Sequence, residues 1–562
     1  MIARNPLITK GVRERLRVKQ MIAWGLFALI ITCFAYLTVF LKGKEPEWVF
    51  DQETEEWVPG EPSPTNGARR AFPVLLGLQG FILLFLGTGR VASGTAEERE
   101  IGLLDYQRMT PMKPFMKIVG YLFGLPAREY FMFGITLPFL LHAVIVGEIS
   151  PAKTLHLYTV FFSCVLLYHL TAHVTGLVVS RPRAAAWISR MVVLGLYVFL
   201  PGLGQAGFSF LSFLTLLPTY FGIMNTELKP VNQTEPSFDF WRETTDFWRE
   251  VPFFDFAVSP SLFTILMQGL LLSALFATAH RKWRNENLPA FSKPFGILFF
   301  AVLQFLLVGC LWQLYGEGKA SGLLGSFFSH NDREGGLTLV FVQTILFSLS
   351  LAAAVLIIHV TCPTRHQYVK GRRRAAKLNL TNVPLMADEK PGGIIVLGLG
   401  VMMPLTHFLL LMRAAESGLY FDKFPAQETL VLPCLLFAAC LVYLRAAREL
   451  WFNIGFWGFL GLLWVTPPLA CMVIYAGWEE GGLNTLYHLG SLSPPFAFFE
   501  IAGRPQDMDL GEHENAFRQA AIFGVIFSIL IALILSVFHF LQRRKWEERE
   551  KSIAANREFE RL

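Results

Sequence analysis

Charge is what this sequence has little of. Only 16% of its 562 residues are Asp, Glu, Lys or Arg, whereas 53% are hydrophobic and mean hydropathy is +0.45. Soluble domains carry about 25% charged residues, so the chain cannot cover an ordinary water-facing surface. A basic face is also missing. Despite a net charge of +6, Lys and Arg sit in short loops between apolar runs, which excludes nucleic-acid binding. No CxxC pair occurs among the seven cysteines, and all but Cys362 fall inside apolar runs. That excludes a disulfide framework or a zinc site and leaves cysteine as small apolar filler. There is no GxxxxGK[ST] loop to cradle a nucleotide phosphate; Lys370-Gly371 is followed by three arginines. No loop is long enough for an ATPase domain, which needs roughly 50–250 residues. No nucleophile–base or paired-carboxylate grouping suggests an enzyme.

What is present is a series of long apolar runs. Spans are expected near 21–41, 71–92, 127–147, 156–180, 187–210, 258–280, 294–315, 337–360, 393–413, 428–446, 452–476 and 519–541. The first is as long as a full span and is followed by Lys42-Gly43-Lys44 rather than a small-residue cleavage site, so it is expected to be retained. The 187–223 stretch carries Pro201, Gly202 and Gly204. It is expected to be one span followed by a re-entrant or interfacial piece near Pro218, with its irregular backbone buried in protein or lining a cavity.

Positive charge gives the orientation. With the N-terminus inside, the segments 1–20, 92–117, 181–190, 281–293, 362–392, 445–448 and 542–562 are cytoplasmic and hold 33 of the 49 Lys and Arg. Both termini are therefore expected in the cytoplasm. The loop plan then repeats. Long cytoplasmic loops (92–117, 362–392), short basic turns (Arg181-Pro182-Arg183, Arg445 to Arg448) and long outside loops (224–257, 477–518) recur in order. The expected fold is an all-α polytopic membrane protein of about twelve transmembrane helices in two parallel six-helix repeats. Residues 1–290 form the first half and 291–562 the second.

The richest segment is Glu97-Glu98-Arg99-Glu100-Ile101-Gly102-Leu103-Leu104, followed by Met109-Thr110-Pro111-Met112 and Ile118-Val119-Gly120. Thr95 precedes Glu98 at capping-box spacing, which predicts a helix starting there. Pro111 and Pro114 are expected to break it before the chain re-enters the bilayer. Upstream, Asn5-Pro6-Leu7 opens a basic amphipathic stretch from Lys10 to Lys19 directly before the first span. These features resemble the permease subunits of type II ABC exporters. Their first cytoplasmic loop has a Glu-rich helix start, a Gly-Leu pair and a Thr-Pro break, and an elbow helix precedes their first span. The resemblance in detail covers roughly residues 1–150; the second-half loop has Pro363-Thr364-Arg365 and Tyr368-Val369-Lys370-Gly371 without the Glu-rich start.

The resemblance implies an inner-membrane exporter permease with no cofactor of its own. A separate ABC ATPase subunit, as two copies carrying ATP and Mg, would dock on the cytoplasmic loops. Glu97, Glu98, Glu100, Gly102, Thr110 and Pro111 would be the coupling residues. An ion-coupled carrier and a non-transporting scaffold are the alternatives. A carrier would use ionisable groups deep in the membrane, for which His169 and His173, four apart, and His142 are the candidates. Packing histidines is the simpler expectation, and Gln268, Gln304 and Gln343 are expected to be interhelical hydrogen bonders. Phe240-Trp241-Arg242-Glu243 and Phe247-Trp248-Arg249-Glu250 repeat at seven residues, placing Trp241 and Trp248 on one face of an expected outer interfacial helix.

Overall fold

The structure, a computed structural model, describes residues 5–45, 48–51, 56–59, 62–205, 209–228, 251–286, 288–317, 336–363, 365–380, 382–417, 427–451, 453–477, 483–502 and 514–559. Trp241 and Trp248 lie outside the described residues. The chain is an all-α polytopic membrane protein, with twelve helices among the described residues long and apolar enough to cross a bilayer. It divides into two compact units, Met1–Pro252 with Phe256–Leu288, and Phe253–Asp255 with Pro289–Leu562. Each unit holds six of these helices.

In the first unit a short helix α1 (Pro6–Arg15) precedes α2 (Val18–Lys44), the first span. A hairpin of β1 (Trp48–Asp51) and β2 (Glu56–Pro59) follows, antiparallel with Trp48 opposite Pro59. The second span is one continuous rod of α3 (Pro64–Gly80), a π-helical stretch Phe81–Gly87 and α4 (Thr88–Glu100). Then come α5 (Leu103–Met109), α6 (Pro114–Gly124), α7 (Ala127–Val146), α8 (Pro151–Val178) and α9 (Pro182–Gln205). The unit closes with α10 (Ser209–Ser212), α11 (Leu217–Glu227) and α12 (Pro260–Arg284). Its core is aromatic and aliphatic, centred on Phe72, Leu75, Phe161, Cys164 and Tyr168. On α2 a stripe of Ile22, Leu26, Ile30 and Phe34 is exposed at four-residue spacing, the apolar face that lipid would cover.

The 187–223 stretch folds as one span, Pro182–Leu200, followed by the short pieces α10 and α11. Its irregular backbone is satisfied by neighbouring spans. Tyr168 donates to the Leu214 carbonyl at 2.9 Å, Ser212 to that of Leu200 at 2.9 Å, and Gln268 to that of Phe213 at 3.3 Å. A loop buried this way needs such partners, since bare carbonyls away from water are costly.

The second unit runs α13 (Lys293–Glu317), α14 (Gly336–Thr361), α15 (Arg365–Lys377), α16 (Gly393–Ser417) and α17 (Gln427–Leu450). The fifth span follows as one continuous helix of α18 (Asn453–Leu460), a π-helical stretch Gly461–Val465 and α19 (Thr466–Gly477). Then come α20 (Leu483–Gly490), α21 (Pro494–Ala502) and the long α22 (Glu514–Phe559). Phe300, Phe347, Phe437, Tyr443 and Phe498 fill its core. Glu449, at the end of α17, is buried and accepts from His539 at 2.8 Å, Arg445 at 3.2 Å and the Gly392 amide at 2.9 Å. Lys293 donates to the carbonyls of Ala387 and Lys390, which pins the loop before α16. Three helices and a loop are thus tied together at one end of this unit.

One local expectation is overturned. Thr95 does not start a helix, because it lies inside α4 and is fully buried, bonded to His173 at 3.0 Å. The helix runs on from residue 64, through the π-helical stretch, because no proline lies between Pro73 and Pro111, and the chain turns at Gly102. Glu97, Glu98 and Glu100 therefore sit at a helix C-terminus, where the helix dipole opposes acids. For Glu98 the Lys10 ammonium, 2.9 Å away, offsets that cost.

Candidate coupling surface

The loop between the second and third spans is built as a braced lever. Helix α4 ends at Glu100; Ile101 donates to the Glu97 carbonyl and Gly102 to that of Arg99, both at 3.1 Å. Gly102 has φ +75°, the left-handed conformation that closes a helix and that a side chain disfavours. Its missing Cβ would meet nothing within 4 Å, so the requirement is purely conformational. Gly102→Ala is expected to destabilise by about 1 kcal/mol and Gly102→Asn by less, read from unfolding in detergent. Equal stability of all three would show the turn to be unstrained.

After this turn α5 runs to Met109 and stops at Thr110, whose hydroxyl donates to the Gln107 carbonyl at 2.6 Å. Thr110 is extended because Pro111 follows it. Lys117, from the next helix, donates to the carbonyls of Gln107 at 2.6 Å and Thr110 at 3.4 Å. A cation is thereby placed on the negative end of α5. Burial, with Arg108 nearby, lowers the pKa of that ammonium, and the Trp283 ring lies 5.7 Å away. Pro114 then opens α6 at a position where no amide is needed.

Glu98 joins three elements. It accepts from Lys10 of α1 at 2.9 Å, from Gln107 of α5 at 3.1 Å and from the Tyr121 hydroxyl of α6. The α1–α6 contact is backbone on backbone, since a Cβ on Gly11 would lie 2.3 Å from the Gly124 carbonyl oxygen. Asn5 caps α1 through Leu7 at 3.0 Å and donates to the Met116 carbonyl at 2.6 Å. On the other side Glu286, just beyond α12, accepts from Arg99 at 2.5 Å and Arg108 at 3.1 Å.

Burial works against the ionised Glu286 carboxyl, but the hydrogen bonds and charge of Arg99 and Arg108 outweigh it and hold its pKa below the ordinary 4.5. A lowered folded pKa means that the clamp contributes fully above the unfolded value and is lost as pH falls through the folded one. The stability difference between wild type and Glu286→Gln is therefore expected to shrink as pH drops from 7 to below 4.5. A difference independent of pH would mean that the clamp carries no stability.

Of the six residues named from the sequence, the structure brings Glu97, Glu100, Gly102 and Pro111 to the exposed tip. Glu98 turns inward and Thr110 is half-buried. Ile101, Tyr106 and Met109 are also exposed there, at 69%, 65% and 78%. The tip thus offers acids beside apolar side chains on a backbone that Glu98, Lys117 and Glu286 hold in place. Lys117 and Glu286 escaped notice in the sequence because their partners lie on other elements, 7 to 187 residues away.

The three candidate histidines each have hydrogen-bond partners. Trp283 donates to His173 Nε2 at 2.9 Å, leaving Nδ1 to donate to Thr95. His169 Nε2 faces the Leu83 carbonyl at 3.1 Å, in the π-helical stretch, and Nδ1 faces the Tyr130 hydroxyl at 3.3 Å. His142 is bonded to Tyr36 at 2.5 Å. Gln268 bonds Cys164 at 3.1 Å and Gln304 bonds Ser350 at 2.9 Å, both between helices. No group of three His, Cys, Asp or Glu among the described residues could hold a metal ion.

Fold and surface together define a class: a multi-pass α-helical membrane protein with a braced, exposed loop at one end of its first unit. No family model, curated protein or solved structure matches the chain.

Proposed function

We propose that the chain is the membrane-spanning subunit of an ATP-driven exporter, similar to type II ABC permeases. Hydrolysis of ATP, with Mg, by a separate subunit would move a substrate across the inner membrane. The observation that carries this reading is the lever from Thr88 to Met109, continuous with a span, clamped on three sides and bare at its tip. A push on Glu97, Glu100 and Ile101 would pass into the second span without being absorbed by a loose loop. Positive charge in the loops supports cytoplasmic termini, and with that orientation this tip would face the ATP side.

In the second half the corresponding helix α15 exposes Arg372, Arg373 and Arg374, so two ATPase copies would meet unlike surfaces, one acidic and one basic. Binding of ATP would draw these loops together and shift the equilibrium between inward- and outward-facing states.

The double variant Glu97→Lys/Glu100→Lys tests the tip. Both side chains are exposed, so stability should change by less than about 0.5 kcal/mol. Like charge across the contact should weaken capture of the ATPase subunit by about 10-fold or more. Undiminished capture would remove the tip from the contact. An ion-coupled carrier would instead show gradient-driven flux in liposomes containing this chain alone, and a scaffold would show none under any condition.

A further inference from the structure

A second feature adjoins the lever and shares Arg90 of α4 with it. Helices α1, α2, α4 and α7 and the α1–α2 junction line an open cavity of about 320 Å³, with Arg15, Arg17, Arg90, Arg128, Glu14 and Trp24 on its walls. That volume is within the range of small-molecule sites. Four arginines and one glutamate are among the residues that line it. Arg128 is also paired with the buried Glu129, at 3.0 Å from its Nε, and lies 4.3 Å over the Trp24 ring. Arg15 Nε is buried and has no hydrogen-bond partner. A buried, unmatched guanidinium nitrogen is costly unless something else accepts from it.

Position narrows the chemistry. Arg17 immediately precedes the first span and Arg128 is the second residue of the third. Arg90 is ten residues before the end of α4, about 15 Å back along the rod at 1.5 Å per residue. The cavity is therefore at the depth where spans leave the apolar layer, and Trp24 has the side chain favoured at that boundary. Phospholipid phosphates sit at this level. Guanidinium forks match phosphate oxygens two at a time, and basic pockets between spans suit acidic headgroups.

We propose that this cavity binds a phosphate group, supplied by an acidic phospholipid. The four guanidinium groups take the phosphate oxygens, Arg15 Nε gains its missing acceptor, and the acyl chains pass outward along the exposed apolar faces of α2 and α7. The bound lipid would then fix α1 against the bundle. This inference stands apart from any ATPase, so it survives if the exporter reading fails.

The test is native mass spectrometry of the purified full chain in detergent, titrated with phosphatidylglycerol and with phosphatidylcholine of the same acyl chains. Phosphatidylglycerol should bind about 10-fold more tightly or better, and Arg15→Gln/Arg90→Gln should erase that preference. The control Arg13→Gln/Lys19→Gln removes the same charge from exposed positions outside the cavity and should change binding by less than about 3-fold. Should the cavity variant fail to fold, wild type alone decides, because phosphatidylglycerol must raise its Tm more than phosphatidylcholine does. Glycerol 3-phosphate forms the second arm. Lipid binding that glycerol 3-phosphate cannot displace assigns the phosphate to a lipid. Glycerol 3-phosphate bound at the same arginines, with no lipid preference, would overturn the lipid source. Equal binding of both lipids without glycerol 3-phosphate binding, or equal losses in cavity and control variants, would overturn the site.

Discussion

Replacing Glu98 with alanine is expected to loosen three elements at once. Its carboxylate accepts from Lys10, Gln107 and Tyr121, which belong to α1, α5 and α6. The Lys10 contact is 45% exposed on the lysine side and contributes little by itself. Tyr121 is buried, and its hydroxyl also reaches Gln107 at 2.9 Å, so it keeps one partner. The expected loss is therefore about 1–3 kcal/mol rather than the sum of three bonds. Glu98→Gln, which still accepts, should lose less than half of that. Amide exchange over residues 6–15 and 103–109 should rise in the alanine variant while the core near Phe161 stays protected. Unchanged exchange in both segments would show that Glu98 is not the joint.

Gly11→Val is expected to have the larger effect. A Cβ there would lie 2.3 Å from the Gly124 carbonyl oxygen and 2.8 Å from the Gly124 Cα, and a backbone cannot swing aside as a side chain can. Either α1 leaves α6 or both shift, at about 3 kcal/mol or more. The Asn5 bond to Met116 and the Lys10 pair with Glu98 would be lost with the contact. Gly124→Val strikes the same interface, so the two effects should be far from additive. Protease cleavage after Arg13 or Arg15, in the last turn of α1, would report the release. If cleavage does not speed up, the short helix is held by something other than this contact.

How much of this was legible in the sequence follows from range. The spans were, because twenty or so apolar residues in a row state their own structure, and each of the twelve expected runs falls on a candidate span. The 187–223 break was legible through Pro201, Gly202 and Gly204. Its stabilisation was not, since the donors Tyr168 and Gln268 come from other spans. The capping-box pattern at Thr95 misled because spacing alone does not say whether a helix is already running. The absence of proline between Pro73 and Pro111 carried the better signal. The packing role of His169 and His173 was foreseen, but their partners Leu83, Thr95 and Trp283 lie on other helices and no pattern names them. At the exposed tip the acids were visible in sequence. Their place at a helix C-terminus, and the brace formed by Lys117 and Glu286, depend on contacts across the bundle.

The most direct measurement is purification of the chain from its own membranes under mild detergent, followed by assay with and without its co-purifying proteins. An exporter permease predicts an ATP-hydrolysing subunit in the complex, no ATP hydrolysis by the isolated chain, and loss of the complex with Glu97→Lys/Glu100→Lys. ATP hydrolysis by the isolated chain, or ion-gradient-driven transport in liposomes that contain nothing else, would contradict it.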